Sequence, residues 1–473
     1  MVVHVEVRRG AYADSVALLQ VSRDVAAVDG VEAAQVAMAT PLNVEVLTGM
    51  GFDVPACSVN DMVVAVRLAS EDVLEEALDA VDAALRSDAR STGATVEEPP
   101  RTTASAFGRR GGALALVSTP GASAVVEAVD ALETGHDVMV FSDNVPLEQE
   151  VALKRLAAER GLLVMGPDCG TALVGGTGLG FANVVTPGPG PTVGLVAASG
   201  TGCQQLMCLL SYAGVTVGAA LGVGGRDLSA GVRGLSTREA LHRLDADGSI
   251  DRVVLVSKPP DPAVAAALDE VTGAMTTPVD LALLGPGQPD LTAAAETTLR
   301  ALGVDTPTWP RWSSPGPVEQ REVRNGGRVR GLFVGGTLCT EAALITRDRR
   351  GDAAGDTFTD FGDDDYTRGR AHPMIDPTLR LEHLARVAAD PSTGVLLLDV
   401  VLGHGAEPDP SALLAPALAN LPGVPVVVAC VGTEGDPQGL SRQAEALAAA
   451  GAEVFLSNAR ATRRALDLLE ARP

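Results

Sequence analysis

Alternating apolar and polar positions over 2–7, 31–38 and 61–68 predict strands. A 3.6-residue apolar rhythm over 13–28 and 71–87 predicts helices, the second with an acidic first turn. These elements predict a small α+β module over 1–90. The stretch that follows, 91–110, holds Pro99-Pro100 and small polar residues, and it reads as a linker or a partly ordered strap.

From 113 the pattern changes. Apolar runs at 113–117, 138–141 and 162–165 alternate with helical periodicity at 122–134 and 147–159, the spacing of parallel strands joined by crossover helices. The rhythm restarts at 192–197 and runs through 252–257 to 278–283. After a proline-rich break at 307–317 it returns at 330–334, 394–398, 425–429 and 453–456. One small module and three α/β layers are expected, over 1–90, 111–190, 191–306 and 328–473. The insertion at 348–380 is rich in Asp and Gly but lacks the ligand spacing of a calcium loop, so it reads as a solvated loop. Its His372 and Asp376, beside two prolines, read as a structural turn.

Candidate chemistry gathers where apolar strands run into glycine. After the run ending at Ala198, Ser199-Gly200-Thr201-Gly202 opens a helix whose first N–H groups point outward, an arrangement suited to an anion. A second turn, Gly224-Gly225-Arg226-Asp227, offers a guanidinium that can grip phosphate, with Asp227 as its orienting partner or, better, as a cap for the next helix. The plain alternative for each turn is an ordinary strand-to-helix cap. Two such turns after successive strands favour a phosphate or acyl-phosphate site.

Lysine is nearly absent, only Lys154 and Lys258 occurring in 473 residues. Lys258 ends an apolar strand just before Pro259-Pro260 and is read as a compact charge for phosphate or carboxylate. No GxxxxGK[ST] string is present, so nucleotide chemistry is not expected of this chain by itself. A formal charge of −24 opposes a nucleic-acid partner. The six scattered cysteines form no CxxC pair, which points to no metal site and to a reducing, cytoplasmic setting. Cys169, with no local cation, reads as a small buried residue. No long apolar span predicts a membrane helix.

Residues 127–183, with Met165-Gly166-Pro167-Asp168-Cys169-Gly170, then Ser199-Gly200-Thr201 and Gly224-Gly225-Arg226-Asp227, resemble the α-subunit of succinyl-CoA synthetase and related acyl-CoA synthetases. Leu398-Asp399-Val400-Val401-Leu402-Gly403-His404-Gly405-Ala406 resembles the carboxy-terminal domain of the β-subunit. The fused order, the amino-terminal module and Val256-Ser257-Lys258-Pro259-Pro260 are most similar to the FdrA family. The resemblance covers roughly three quarters of the chain. It implies a Rossmann-like, CoA-binding-type layer followed by two flavodoxin-like, succinyl-CoA synthetase-like domains.

For the site, the resemblance implies that two helices aim their amino-terminal ends at one phosphoryl group: the helix after Ser199 and the helix after Gly403-His404-Gly405-Ala406. Phosphate-binding positions are then Ser199, Gly200, Thr201, Gly202, Gly224, Gly225, Gly403 and Gly405. Lys258, Arg226 and His404 are the catalytic candidates; His404 is equally readable as a pocket-lining residue. Asp168, Asp227, Gly335, Gly336 and Thr337 support the site, the last three as a further donor loop after strand 330–334.

Two departures bear on function. No glycine-rich CoA loop opens the 113 layer, and Leu284-Gly285-Pro286-Gly287-Gln288-Pro289-Asp290 stands where the synthetases carry their phosphorylated histidine. The FdrA resemblance implies a subunit of oxamate carbamoyltransferase, acting with separately encoded partners in purine and allantoin breakdown, with phosphate or carbamoyl phosphate as substrate and no bound cofactor. The alternatives are an acyl-CoA synthetase subunit and a non-catalytic, phosphate-sensing subunit. An oligomer is expected.

Overall fold

The computed structural model describes residues 2–87, 100–109, 111–112, 114–314, 327–367, 370–421 and 423–470. The chain divides into two units. One takes in Met1–Pro99 and Gly362–Leu379, the other Pro100–Phe361 and Arg380–Pro473.

In the first unit, strands Val2–Arg8 and Val31–Met38 flank Met62–Leu68, both antiparallel to it. The central strand is apolar at nearly every position because both its faces are covered. Val64 and Val66 meet Leu18, Val21 and Val25 of helix Ser15–Ala26 and Ala77 and Val81 of helix Leu74–Ser87. Val63 and Ala65 turn the other way, onto Leu47 and Phe52. The strands and these two helices lie close to their expected places. Helix Pro41–Gly49, which supplies Leu47, was not expected; Thr40 caps it through Asn43 N, and proline sits at its start.

Within the Gly362–Leu379 part, Asp376 accepts from Thr378 N, Thr378 Oγ1 and Arg370 Nη2, and His372 Nδ1 accepts from Met374 N. Both side chains are engaged in holding their own turn.

Among the described residues the second unit carries three sheets. Leu114–Val117, Asp137–Val140 and Val164–Met165 form a small parallel sheet in that order. The next sheet runs Val279–Leu283, Arg252–Ser257, Thr192–Ala198, Thr216–Gly222, Thr171–Val174 and Thr177–Gly180. Its first four strands are parallel and its last two a hairpin. The third runs Arg311–Trp312, Ala452–Phe455, Val426–Val431, Thr393–Val401, Arg328–Phe333 and Thr357–Asp360, parallel except at Arg311–Trp312. This is the expected α/β architecture, with parallel strands buried as continuous apolar runs.

Three expectations change. The hairpin at 171–180 belongs to the second sheet, so the expected 111–190 layer is divided between two sheets. Arg311–Trp312, inside the proline-rich break, edges the third sheet; residues 315–317 of that break lie outside the described residues. Finally, the expected loop 348–380 contains strand Thr357–Asp360, hydrogen-bonded beside Arg328–Phe333. Of the expected linker 91–110, residues 91–99 and 110 lie outside the described residues, and Thr103–Arg109 is a helix.

Candidate functional site

The sequence Ser199-Gly200-Thr201-Gly202 does form a helix tip. Strand Thr192–Ala198 ends at Ser199, whose Oγ accepts from Gly202 N at 3.0 Å and caps helix Gly200–Tyr212. A second tip faces it. Strand Arg328–Phe333 leads through Val334 and Gly335 into helix Gly336–Arg350. Ser199 Oγ and Thr337 Oγ1 are 2.7 Å apart and both residues are buried, so the two tips are hydrogen-bonded to each other.

Glycine is required for this approach. A Cβ on Gly335 would lie 2.8 Å from Thr201 Oγ1, and one on Gly202 would lie 3.0 Å from Thr337 Cγ2. Beside the contact, Gly200 opens onto free space. Aligned peptide dipoles leave roughly half a positive charge at each helix start. Juxtaposing two such ends is unfavourable unless negative charge lies nearby; a protein carboxylate or a small anion relieves it.

Lys258 reaches this place from the end of strand Arg252–Ser257. A Cβ on Gly336 would sit 2.7 Å from Lys258 Nζ and 2.3 Å from Asp360 Oδ2, which puts both charged groups at the first residue of the second helix. Below them Asp399, fully buried, accepts from Val334 N at 2.8 Å and Gly335 N at 2.9 Å and so fixes the turn that opens the helix. Burial pushes its carboxyl up to about 6, against the opposing pull of Arg380, whose Nη1 lies 3.1 Å from Oδ1.

The partner of the Ser199 tip is therefore the Gly335-Gly336-Thr337 tip, not the helix that follows His404. That helix begins only at Pro410, and its start is satisfied by its own Asp409, which accepts from Ala412 N. The Gly403-His404-Gly405 turn packs instead on the 177–183 segment. His404 N donates to Ala182 O at 3.1 Å, a Cβ on Gly403 would meet Phe181 O at 2.2 Å, and one on Gly405 would meet Gly180 O at 3.2 Å. His404 is exposed overall, with its ring edge near Gly178. Gln204, in the first helix, donates to Phe181 O and Leu402 O, so the turn's approach is tied to the first tip through hydrogen bonds.

Gly224, Arg226 and Asp227 are engaged elsewhere, and Gly225 is exposed with open space beside it. A Cβ on Gly224 would lie 2.8 Å from Pro167 O, against the Gly166-Pro167-Asp168 turn. Arg226 pairs through Nε with Glu150 at 2.9 Å and donates through Nη2 to Val145 O at 2.8 Å. Asp227 accepts from Lys154 Nζ at 2.7 Å and from Thr237 N at 2.9 Å; it caps helix Leu235–Ala246 instead of orienting Arg226. Asp168, with φ of 57°, donates its N–H to Ser142 O. These residues hold the first layer to the second. Cys169 is buried, and burial pushes its thiol up to about 12, so it is no nucleophile at neutral pH.

Asp360 and the role of Asp399 were not foreseen. Asp399 carried a usable signal, a lone carboxylate inside a nine-residue strand that is otherwise apolar apart from Thr393 and Gly394. Asp360 carried none, because its strand is short and sits in an Asp-rich surrounding.

Comparison with known proteins agrees with the architecture. Residues 1–100 match the family described as "AllF, heavy metal-associated domain", and residues 332–468 match the CoA-ligase family. The chain is 35% identical over 504 residues to the uncharacterized protein YahF of Escherichia coli K12, spanning 95% of each. It is 26% identical over 146 residues to the α-subunit of ADP-forming succinate–CoA ligase from Methanothermobacter thermautotrophicus, covering 30% of this chain and 47% of the other. Among solved structures it matches a dinucleotide-forming acetyl-coenzyme A synthetase of Ca. Korarchaeum cryptofilum, in complex with phosphate and ADP. That match has a TM-score of 0.30 and 14% identity, over 76% of this chain and 84% of that one.

The amino-terminal module does not fit a heavy-metal centre. Cys57 is its one cysteine, and among the described residues no group of three or more His, Cys, Asp or Glu is placed to hold a metal. Among the described residues no helix is long and apolar enough to cross a membrane. The chain belongs to the family of Escherichia coli YahF, and in this chain a module matching the AllF heavy metal-associated domain precedes a succinyl-CoA synthetase-like body whose residues 332–468 match the CoA-ligase family.

Proposed function

We propose that the cleft beside the abutting tips of helices Gly200–Tyr212 and Gly336–Arg350 binds phosphate, and that the chain is one subunit of an acyl-transfer enzyme working through an acyl phosphate. The observation that carries this reading is the Ser199–Thr337 contact with Lys258 alongside. Two helix starts abut there, Lys258 Nζ stands at Gly336, and Gly200 has open space beside it.

The CoA-ligase match and the succinate–CoA ligase relative support acyl transfer to a thiol, with a partner subunit supplying the nucleotide chemistry. A second, finer reading is that of the FdrA resemblance, carbamoyl transfer between phosphate and oxamate. It is favoured by the Leu284–Asp290 stretch, which has no histidine to carry a phosphoryl group. In that reaction a phosphate oxygen attacks the ureido carbonyl carbon of oxalurate and the carbon–nitrogen bond breaks. The released amide nitrogen takes up a proton, giving oxamate and carbamoyl phosphate. No covalent enzyme intermediate is needed if the reactants are held in line.

The two readings separate in one assay of the chain reconstituted with candidate partner subunits. Carbamoyl phosphate formed from oxalurate and phosphate supports carbamoyl transfer, and an ATP-dependent thioester with CoA supports ligation. In either case Lys258→Ala is expected to weaken phosphate binding by about tenfold or more, the cost of a charge-assisted contact. Unchanged phosphate affinity in that variant would remove Lys258 from the site.

A further inference from the structure

The Gly336 end of the cleft holds a carboxylate as well as a cation. Asp360 Oδ2 and Lys258 Nζ both crowd the point where a Cβ would stand on Gly336, at 2.3 and 2.7 Å. Lys258 is half-buried, and among the described residues its ammonium has no ion-pair partner within 4.0 Å. Both groups lie beside Gly336, and no ion pair within 4.0 Å joins them. Both also act electrostatically on the nearby Cys339 thiol, in opposite senses.

A pocket made only of helix ends and an ammonium would accept any small oxyanion of suitable size. A carboxylate changes that selection, because an ionised Asp can accept hydrogen bonds but donate none. Beside a fully ionised guest it is repulsive. Beside a guest that keeps a proton, it takes a charge-assisted hydrogen bond from that O–H while Lys258 and the helix N–H groups serve the remaining oxygens. A carboxylate offers about four acceptor positions, so other partners of Asp360 are compatible with this role.

We propose that Asp360 makes the cleft selective for an oxyanion that retains a proton, namely inorganic phosphate, over sulfate, which has a similar shape and charge but carries no proton at neutral pH. This deepens the phosphate reading of the cleft and rests on it.

The test is calorimetric titration of the full-length protein with inorganic phosphate and with sulfate, near neutral pH and at constant ionic strength. Phosphate is expected to bind about tenfold or more tightly than sulfate, the worth of one hydrogen bond to a charged group. Asp360→Asn, whose amide can donate, is expected to gain sulfate affinity and bring the two anions to within about threefold. Asp360→Glu is expected to keep the preference. Equal binding of both anions by the wild-type protein overturns the selectivity while leaving the phosphate cleft intact, and binding of neither overturns the cleft itself. An unchanged preference in Asp360→Asn overturns the role of Asp360. Should that variant fail to fold, the wild-type ratio still decides.

Discussion

Lys154 is fully buried, and its ammonium donates to Glu150 at 2.9 Å, Asp227 at 2.7 Å and Val223 O at 2.8 Å. Arg226 Nε lies 2.9 Å from the other Glu150 oxygen on the half-exposed side, an ion pair without hydrogen-bond geometry. Such a cluster is stable only while every charge is matched, since a buried carboxylate without its cation keeps the full cost of desolvation. Lys154→Met is therefore expected to cost about 3–5 kcal/mol in urea denaturation. Replacing Glu150 and Asp227 by their amides in the same chain should recover part of that loss. An effect below about 1 kcal/mol would mean the cluster is not a stabilising tie. Residue type alone made Arg226 an attractive phosphate clamp, because sequence does not show that Glu150 and Val145 O lie within its reach. Asp227 was more readable, as a carboxylate just ahead of a helix. Lys258 was singled out by rarity and by its place at a strand end, and the structure puts it beside the second helix tip.

Helix Gly336–Arg350 links the site to the rest of its unit through Glu341. This fully buried carboxylate accepts from Leu291 N at 2.6 Å and Asn458 Nδ2 at 2.7 Å, at the starts of helices Leu291–Ala301 and Asn458–Glu470. Burial, reinforced by nearby Asp290, pushes its carboxyl up to about 7. The folded value lies above the ordinary 4.5, so this contribution to stability is fully present below about pH 4.5 and is lost as pH rises through 7. Asp399, raised to about 6, acts in the same sense over a lower window. Thermal denaturation from pH 4.5 to 8 should therefore contain a falling component that Glu341→Gln flattens. An identical pH slope in the variant would exclude Glu341 as its source. At this scale the long periodic elements were legible. The short ones were not: Pro41–Gly49 has too few turns to show a period, and Thr357–Asp360 draws its strand character from pairing with Arg328–Phe333.

Across the molecule, strand-to-helix turns rich in glycine recur after Ala198, Gly222, Val334 and Leu402, and each resembles an anion site when read alone. Which two of them meet is decided by how the second and third sheets are brought together. That is a set of contacts between residues far apart in sequence, invisible to local pattern. The resemblance to acyl-CoA synthetases supplied the idea of paired helix ends, but led to the turn at His404 in place of the one at Gly335. The architecture itself was legible because continuous apolar strands separated by amphipathic helices permit few alternatives. The most direct test of the central claim is a crystal structure of the full-length protein soaked in inorganic phosphate. The account predicts the anion beside Gly200 and Gly336, within hydrogen-bond reach of Lys258 Nζ. Phosphate bound at the Gly403-His404-Gly405 turn instead, or side chains filling the opening between the two tips, would contradict it.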